Sequence, residues 1–96
     1  MDMRRAHLTI SGIVQGVFFR STTRHQAMGL GLGGWVKNRR DGKVEIVVEG
    51  EGQRIANFIQ WCHEGPPGAR VDHVDLAWEE YTGEFSNFSV KYSDTW

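Results

Sequence analysis

The sequence predicts an α+β sandwich, an antiparallel-dominated sheet with two helices on one face. Three observations predict it. Alternating and helical apolar patterns follow one another along the chain in the order β-α-β-β-α-β, with a short strand added at the end. An Asp-Gly turn joins the second and third strands directly, and glycine-rich turns stand where each helix begins or stops. The chain has 96 residues, with 40% hydrophobic and 24% charged content, which fits one ordinary globular domain over 1–96.

The first strand is read over 6–13, where Leu8 and Ile10 alternate with His7, Thr9 and Ser11 in the period of two that marks a half-buried strand. The turn Gly12-Ile13-Val14-Gln15-Gly16-Val17 follows. Phe19, Thr23, Ala27 and Leu30 then recur at three- and four-residue intervals, predicting a helix that ends near Gly31. Trp35-Val36-Lys37-Asn38 and 43–49 are read as strands two and three of a hairpin turning through Arg39-Arg40-Asp41-Gly42. Gly50-Glu51-Gly52 breaks that pattern, and Ile55, Phe58, Ile59 and Cys62 share one face of a second amphipathic helix stopped by Gly65-Pro66-Pro67-Gly68. Val74, Leu76 and Trp78 alternate with acids and Ala77 in a fourth strand, and Phe88, Val90 and Tyr92 do so in a short last one. This is the split βαβ order of ferredoxin-like domains. Right-handed crossovers place strand one beside strand three at the centre of the sheet. Trp35, Trp61 and Trp78 are read as core or helix–sheet packing, with Trp35 bracing Asn38. The architecture serves many activities and names none of them.

Composition excludes several classes. Cys62 is the only cysteine, so no intramolecular disulfide can form, and the reducing cytoplasm is the expected compartment. Its place on the apolar stripe makes it a buried hydrophobe rather than a nucleophile. The first residues lack an apolar signal-peptide core, and no apolar run approaches the ~20 residues that span a bilayer. A formal net charge of -1 argues against a dedicated nucleic-acid binder. His7, His25, His63 and His73 show no metal-ligand spacing, so no metal is expected. Arg20, Arg24, Lys37, Arg39, Arg40 and Lys43 fall in the first 43 residues, while acids dominate from Glu45 to Glu84. If the fold gathers these cations, they make an anion site; Arg39, Arg40 and Lys43 are most simply a solvated hairpin.

The turn before the first helix can carry chemistry. Backbone N–H groups at a helix N-terminus lack intrahelical partners, and with the helix dipole they attract phosphate or carboxylate. Gly16 lets the backbone approach such an anion, and Arg20, one turn on, offers a two-pronged guanidinium. The same residues are equally a plain turn followed by a solvated arginine. Asn38, at the end of strand two, also has a local explanation, since asparagine is common at turns.

Together, Gly12-x-Val14-Gln15-Gly16-Val17-x-Phe19-Arg20 and Gly34-Trp35-Val36-Lys37-Asn38, followed by Gly42-x-Val44 and Gly50, resemble the two signature motifs of the acylphosphatase family. Arg70-Val71-Asp72 and Ser86-Asn87-Phe88-Ser89-Val90 extend the resemblance over nearly the whole chain. It implies a hydrolase that cleaves acyl phosphates to carboxylate and inorganic phosphate without metal or cofactor; a monomer is expected because no obvious exposed apolar patch argues for more. Arg20 matches the family's substrate-binding arginine and Asn38 its water-positioning asparagine. Gln15, Gly16, Val17, Phe18 and Phe19 match the loop whose amides hold phosphate. Ile13 stands where the family is often basic, which leaves the rim less cationic, and residues 93–96 extend past the family's usual last strand.

The chief competing reading is a ferredoxin-like module that binds RNA or a phosphorylated ligand without catalysis. Strand three lacks the basic and aromatic RNP1 pattern that RNA binding on such a sheet uses. A third reading is a detached domain of the acylphosphatase type. The presence of both Arg20 and Asn38 in a short chain without a linker favours an active, free-standing enzyme.

Overall fold

The alternation of Ala6, Leu8 and Ile10 becomes one fully buried face of β1 (Met3–Ile13) in the computed structural model, which describes residues 2–92. The same face continues across β3 (Val44–Glu51), which pairs antiparallel with β1 so that Leu8 stands opposite Ile46 and Ala6 opposite Val48. On its other side β1 pairs antiparallel with β4 (Arg70–Glu79), and β2 (Gly33–Asn38) pairs antiparallel with β3 through the expected hairpin. The short β5 (Phe88–Lys91) adds to β2 in parallel. The sheet order is therefore β4-β1-β3-β2-β5, a mixed five-stranded ferredoxin-like arrangement with β1 and β3 at its centre.

Two helices cover one face of this sheet. Helix α1 (Phe19–Gly29) buries Phe19, Thr23 and Ala27 over β2 and β5, and α2 (Gly52–Glu64) buries Ile55, Phe58 and Cys62 over β1, β3 and β4. Their apolar stripes meet the strand face in a single hydrophobic cluster that also takes in Val36 and Phe88. Burial pushes the Cys62 thiol far up from its ordinary pKa, which fits a packed hydrophobe and leaves no nucleophilic thiolate. Helix α2 begins with a proper cap, the Glu51 carboxylate accepting from the Arg54 amide at 3.1 Å.

Strand parity corrects two of the tryptophan expectations. Val36 points into the core, so Trp35 lies on the face away from the helices, edge-on to His7 with Lys37 and Lys91 over its ring. It does not brace Asn38. Trp78 is half exposed because β4 is an edge strand, and the Arg4 guanidinium lies 5.4 Å from the centre of its ring. Trp61 packs as expected, against Phe19 and Phe58. The alternation read as far as Tyr92 also stops earlier: β5 ends at Lys91, and Tyr92 is 80% exposed. The expected extension over residues 93–96 lies outside the described residues.

The sheet face away from the helices holds a network the alternation did not announce. Glu49 is only 4% exposed. It accepts from the amide and hydroxyl of Thr82 and the amide of Gly83, and it pairs with Arg5 at 3.1 Å. Arg5 also stacks on Phe85, which packs beside Gly33, so the connection from β4 to β5 crosses this face and is fastened at Glu49. Burial alone would raise the Glu49 pKa, but the hydrogen bonds from Thr82, Arg5 and Gly83 outweigh it and hold the carboxyl below its ordinary range. That stabilisation is complete above the unfolded carboxyl pKa of about 4.3 and is lost as pH falls through the lower folded value. Glu49→Ala is expected to cost about 3 kcal/mol in urea unfolding at pH 7, because it leaves three donors of Thr82 and Gly83 unpaired and takes from Arg5 one of its two close carboxylates, leaving Glu79. The gap from wild type should narrow below about pH 4; a gap that stays constant there would show that the charge on Glu49 does not matter.

Candidate active site

The turn after β1 is built from unusual backbone. A register shift between Ser11 and Gly12 makes a bulge in the β1–β4 pairing. Gly12 adopts φ +134 there, and a Cβ would lie 2.0 Å from the Arg70 carbonyl oxygen. The chain then alternates hands, with Gly16 at φ +75 and Phe18 at φ +61, the one non-glycine residue with positive φ among those described. Alternating left- and right-handed residues turn successive N–H groups toward one point, a concavity that suits an anion. Phe18 is also the N-cap of α1, and it gives the helix no side-chain cap. No acidic residue occupies the first turn. Unlike α2, α1 therefore presents its first amides and the positive end of its dipole without a carboxylate from the described residues to satisfy them.

Beside this loop is a cleft of about 290 Å³ lined by Val14, Gly16, Phe18, Phe19, Arg20, Ser21, Asn38 and Tyr92. The structure thus brings Arg20, from the first turn of α1, to the same cleft as Asn38, from the end of β2. Arg20 has no carboxylate partner among the described residues; its guanidinium carbon lies 5.0 Å from the centre of the Tyr92 ring. Asn38 Oδ1 is buried and accepts no hydrogen bond from a described residue. Leaving such an acceptor unpaired costs about 1–3 kcal/mol, an energy a donor entering the cleft can recover. Among the described residues, no Asp, Glu or His side chain lines the cleft.

Gly16, Phe18 and Phe19 reach the cleft, whereas the side chains of Gln15 and Val17 serve elsewhere. Val17 packs against the core. Gln15 Nε2 donates to the carbonyls of Arg39 at 2.7 Å and Lys43 at 3.0 Å, tying the loop to the base of the hairpin that follows Asn38. Ile13 is half exposed and does not line the cleft.

The six cations of the first 43 residues do not gather at the cleft; Lys37, Arg39 and Arg40 lie together elsewhere, beside Asp41 and Glu45. Arg24 is engaged with the Phe88 carbonyl, Lys37 lies on the opposite sheet face near Glu45, and Arg39 pairs with Asp41 at 3.0 Å. Arg20 alone of them lines the cleft. His7, in turn, is held between Glu45 and Glu79, and no group of three or more His, Cys, Asp or Glu among the described residues is arranged to hold a metal ion. The sequence reading missed Tyr92, whose alternation with Phe88 and Val90 pointed to the core, and also missed the double hydrogen bond of Gln15.

The β1–α1 turn and the β2 terminus of this ferredoxin-like sheet thus form one cleft suited to an anion, which marks a small anion-binding α+β domain. The family model described as Acylphosphatase matches residues 6–90, and the chain belongs to that family. It is 50% identical over 92 residues to an acylphosphatase of Pelotomaculum thermopropionicum, covering 96% of this chain and all of that one. Among solved structures it is similar to an acylphosphatase from Coxiella burnetii, with a TM-score of 0.90 and 42% identity over 94% of each chain. It is also similar to the Bacillus subtilis acylphosphatase, with a TM-score of 0.90 and 32% identity over 93% of this chain and 99% of that one.

Proposed function

We propose that this protein hydrolyses acyl phosphates. The observation that carries the proposal is the convergence of Arg20, Asn38 and the uncapped start of α1 on one cleft. Water attacks phosphorus, and the bond from phosphorus to the acyl oxygen breaks. One proton of the water passes to a phosphate oxygen, leaving a carboxylate and dihydrogen phosphate. The leaving carboxylate has a conjugate acid of pKa about 4, so no general acid is required at neutral pH. A substrate oxygen accepts the proton, since none of the described residues lining the cleft offers a carboxylate or imidazole as base.

Charge on the transferring phosphoryl group is met by the Arg20 fork and by the amides of the loop containing Gly16, Phe18 and Phe19. Asn38 Oδ1 accepts a hydrogen bond from the attacking water and holds it in line. Gln15 fixes the loop relative to the hairpin through its two carbonyl contacts, and Val17 anchors the loop in the core. Guanidinium and amides supply the positive charge, so the reaction runs without a metal or cofactor. We read the protein as a cytoplasmic monomer acting on a small molecule; no helix among the described residues is long and apolar enough to cross a membrane.

The test is loss of benzoyl phosphate absorbance with EDTA present. Hydrolysis is expected at the same rate with and without the chelator. Activity removed by EDTA and restored by a divalent cation would overturn the metal-free reaction, and complete inactivity would overturn the hydrolase reading.

A further inference from the structure

We propose that Phe18 and Tyr92 form a subsite for the acyl group, and that the preferred substrates are acyl phosphates with a planar, apolar acyl part. This inference rests on the hydrolase reading above and adds the substrate class.

The two side chains stand apart in their exposure. Phe18 is 82% and Tyr92 80% exposed, whereas no other large hydrophobic among the described residues exceeds 53%. Both line the cleft that contains Arg20 and Asn38. Scattered exposed hydrophobics are normal on a protein surface, but the two most exposed rings sharing one 290 Å³ cleft are not scattered. Phe18 is further set apart by its left-handed backbone, which a bulky residue adopts only when its surroundings hold it there. That conformation makes the residue before Phe19 the N-cap and leaves the Phe18 ring in solvent while the Phe19 ring is 1% exposed in the core.

The division of the cleft follows from chemistry. The phosphoryl end is fixed by the charges it needs, at the loop amides and Arg20. The acyl carbon is one oxygen away from phosphorus and must point outward, because the inner wall is closed by Val14 and Phe19, each 1% exposed. At the mouth it meets the rings of Phe18 and Tyr92. Tyr92 already lies against the Arg20 guanidinium, so its ring is placed beside the phosphate site, where a planar acyl group can stack or meet it edge-on. A short acyl group such as acetyl reaches little of this surface.

The experiment compares kcat/KM for benzoyl phosphate and acetyl phosphate in the wild type, Phe18→Ala, Tyr92→Ala and Tyr92→Phe, with competitive inhibition by inorganic phosphate measured in each. The wild type is expected to favour benzoyl phosphate. Phe18→Ala should lower kcat/KM for benzoyl phosphate about five- to tenfold more than for acetyl phosphate, the scale of one aromatic contact. A disturbance of the loop amides lowers both substrates alike and weakens phosphate inhibition with them, so the ratio between the two substrates reads the ring. Tyr92→Ala should narrow the same ratio, and Tyr92→Phe, which keeps the ring, should restore it. Equal losses on both substrates, or no loss on either, would overturn the subsite. A wild type inert toward both would remove the hydrolase reading, and the subsite with it.

Discussion

Arg20→Ala is expected to eliminate turnover and phosphate binding together, lowering kcat/KM on benzoyl phosphate by about 10²–10³-fold and raising the inhibition constant for inorganic phosphate in parallel. The reason is geometric as much as electrostatic. Arg20 is the one arginine or lysine lining the cleft, and its guanidinium is placed against Tyr92 with no acid partner among the described residues. Arg24 and Arg39 are not free to substitute for it, being engaged with the Phe88 carbonyl and Asp41. Arg20→Lys should recover little, because an ammonium is a point donor and cannot span two phosphate oxygens while stacking on a ring. Steady-state kinetics with phosphate as competitor provides the check. A lysine variant within tenfold of the wild type would show that charge alone is sufficient.

Asn38→Ala should separate what Arg20→Ala removes at once. Inorganic phosphate is expected to bind within about threefold of the wild type, while kcat falls by about 10²-fold, the scale of one transition-state contact. The unpaired Oδ1 at the end of β2 motivates this expectation, because an acceptor buried without a protein donor is suited to receive one from a bound water. Removing it relieves an unsatisfied group, so the variant should be at least as stable as the wild type in urea unfolding. A kcat near the wild-type value would show that the water finds its line without the carboxamide. Loss of phosphate affinity equal to the loss in kcat would instead make Asn38 a ground-state binding residue.

The sheet was legible because strand parity and the Asp-Gly turn leave few choices. Leu8 and Ile10 on one face of β1 fix which residues of β3 they meet, and the direct hairpin forces β2 beside β3. The convergence of Arg20 and Asn38 was legible from the two motifs, since the β1–α1 turn and the β2 terminus fall at the same end of the sheet. What could not be read depends on partners distant in sequence. Alternation leaves Glu49 facing away from the helices and thus outward, but the connection near Thr82 crosses that face and buries it. Charge counting grouped six cations of which the fold brings only Arg20 to the cleft, because strand direction and local acids decide where each side chain goes. The left-handed Phe18 runs against the preference of its residue type, so no propensity could announce it.

The double hydrogen bond of Gln15 makes the reaction an indicator of complete folding. One amide donates to carbonyls 24 and 28 residues further along the chain, on either side of the Asp-Gly turn. The two halves of the centre therefore meet only after the crossover through α1 has closed and the hairpin has seated. A collapsed intermediate with its helices formed but the hairpin frayed would have native-like circular dichroism and yet be inert. During refolding, recovery of turnover should coincide with the last tertiary signal rather than with the first secondary one.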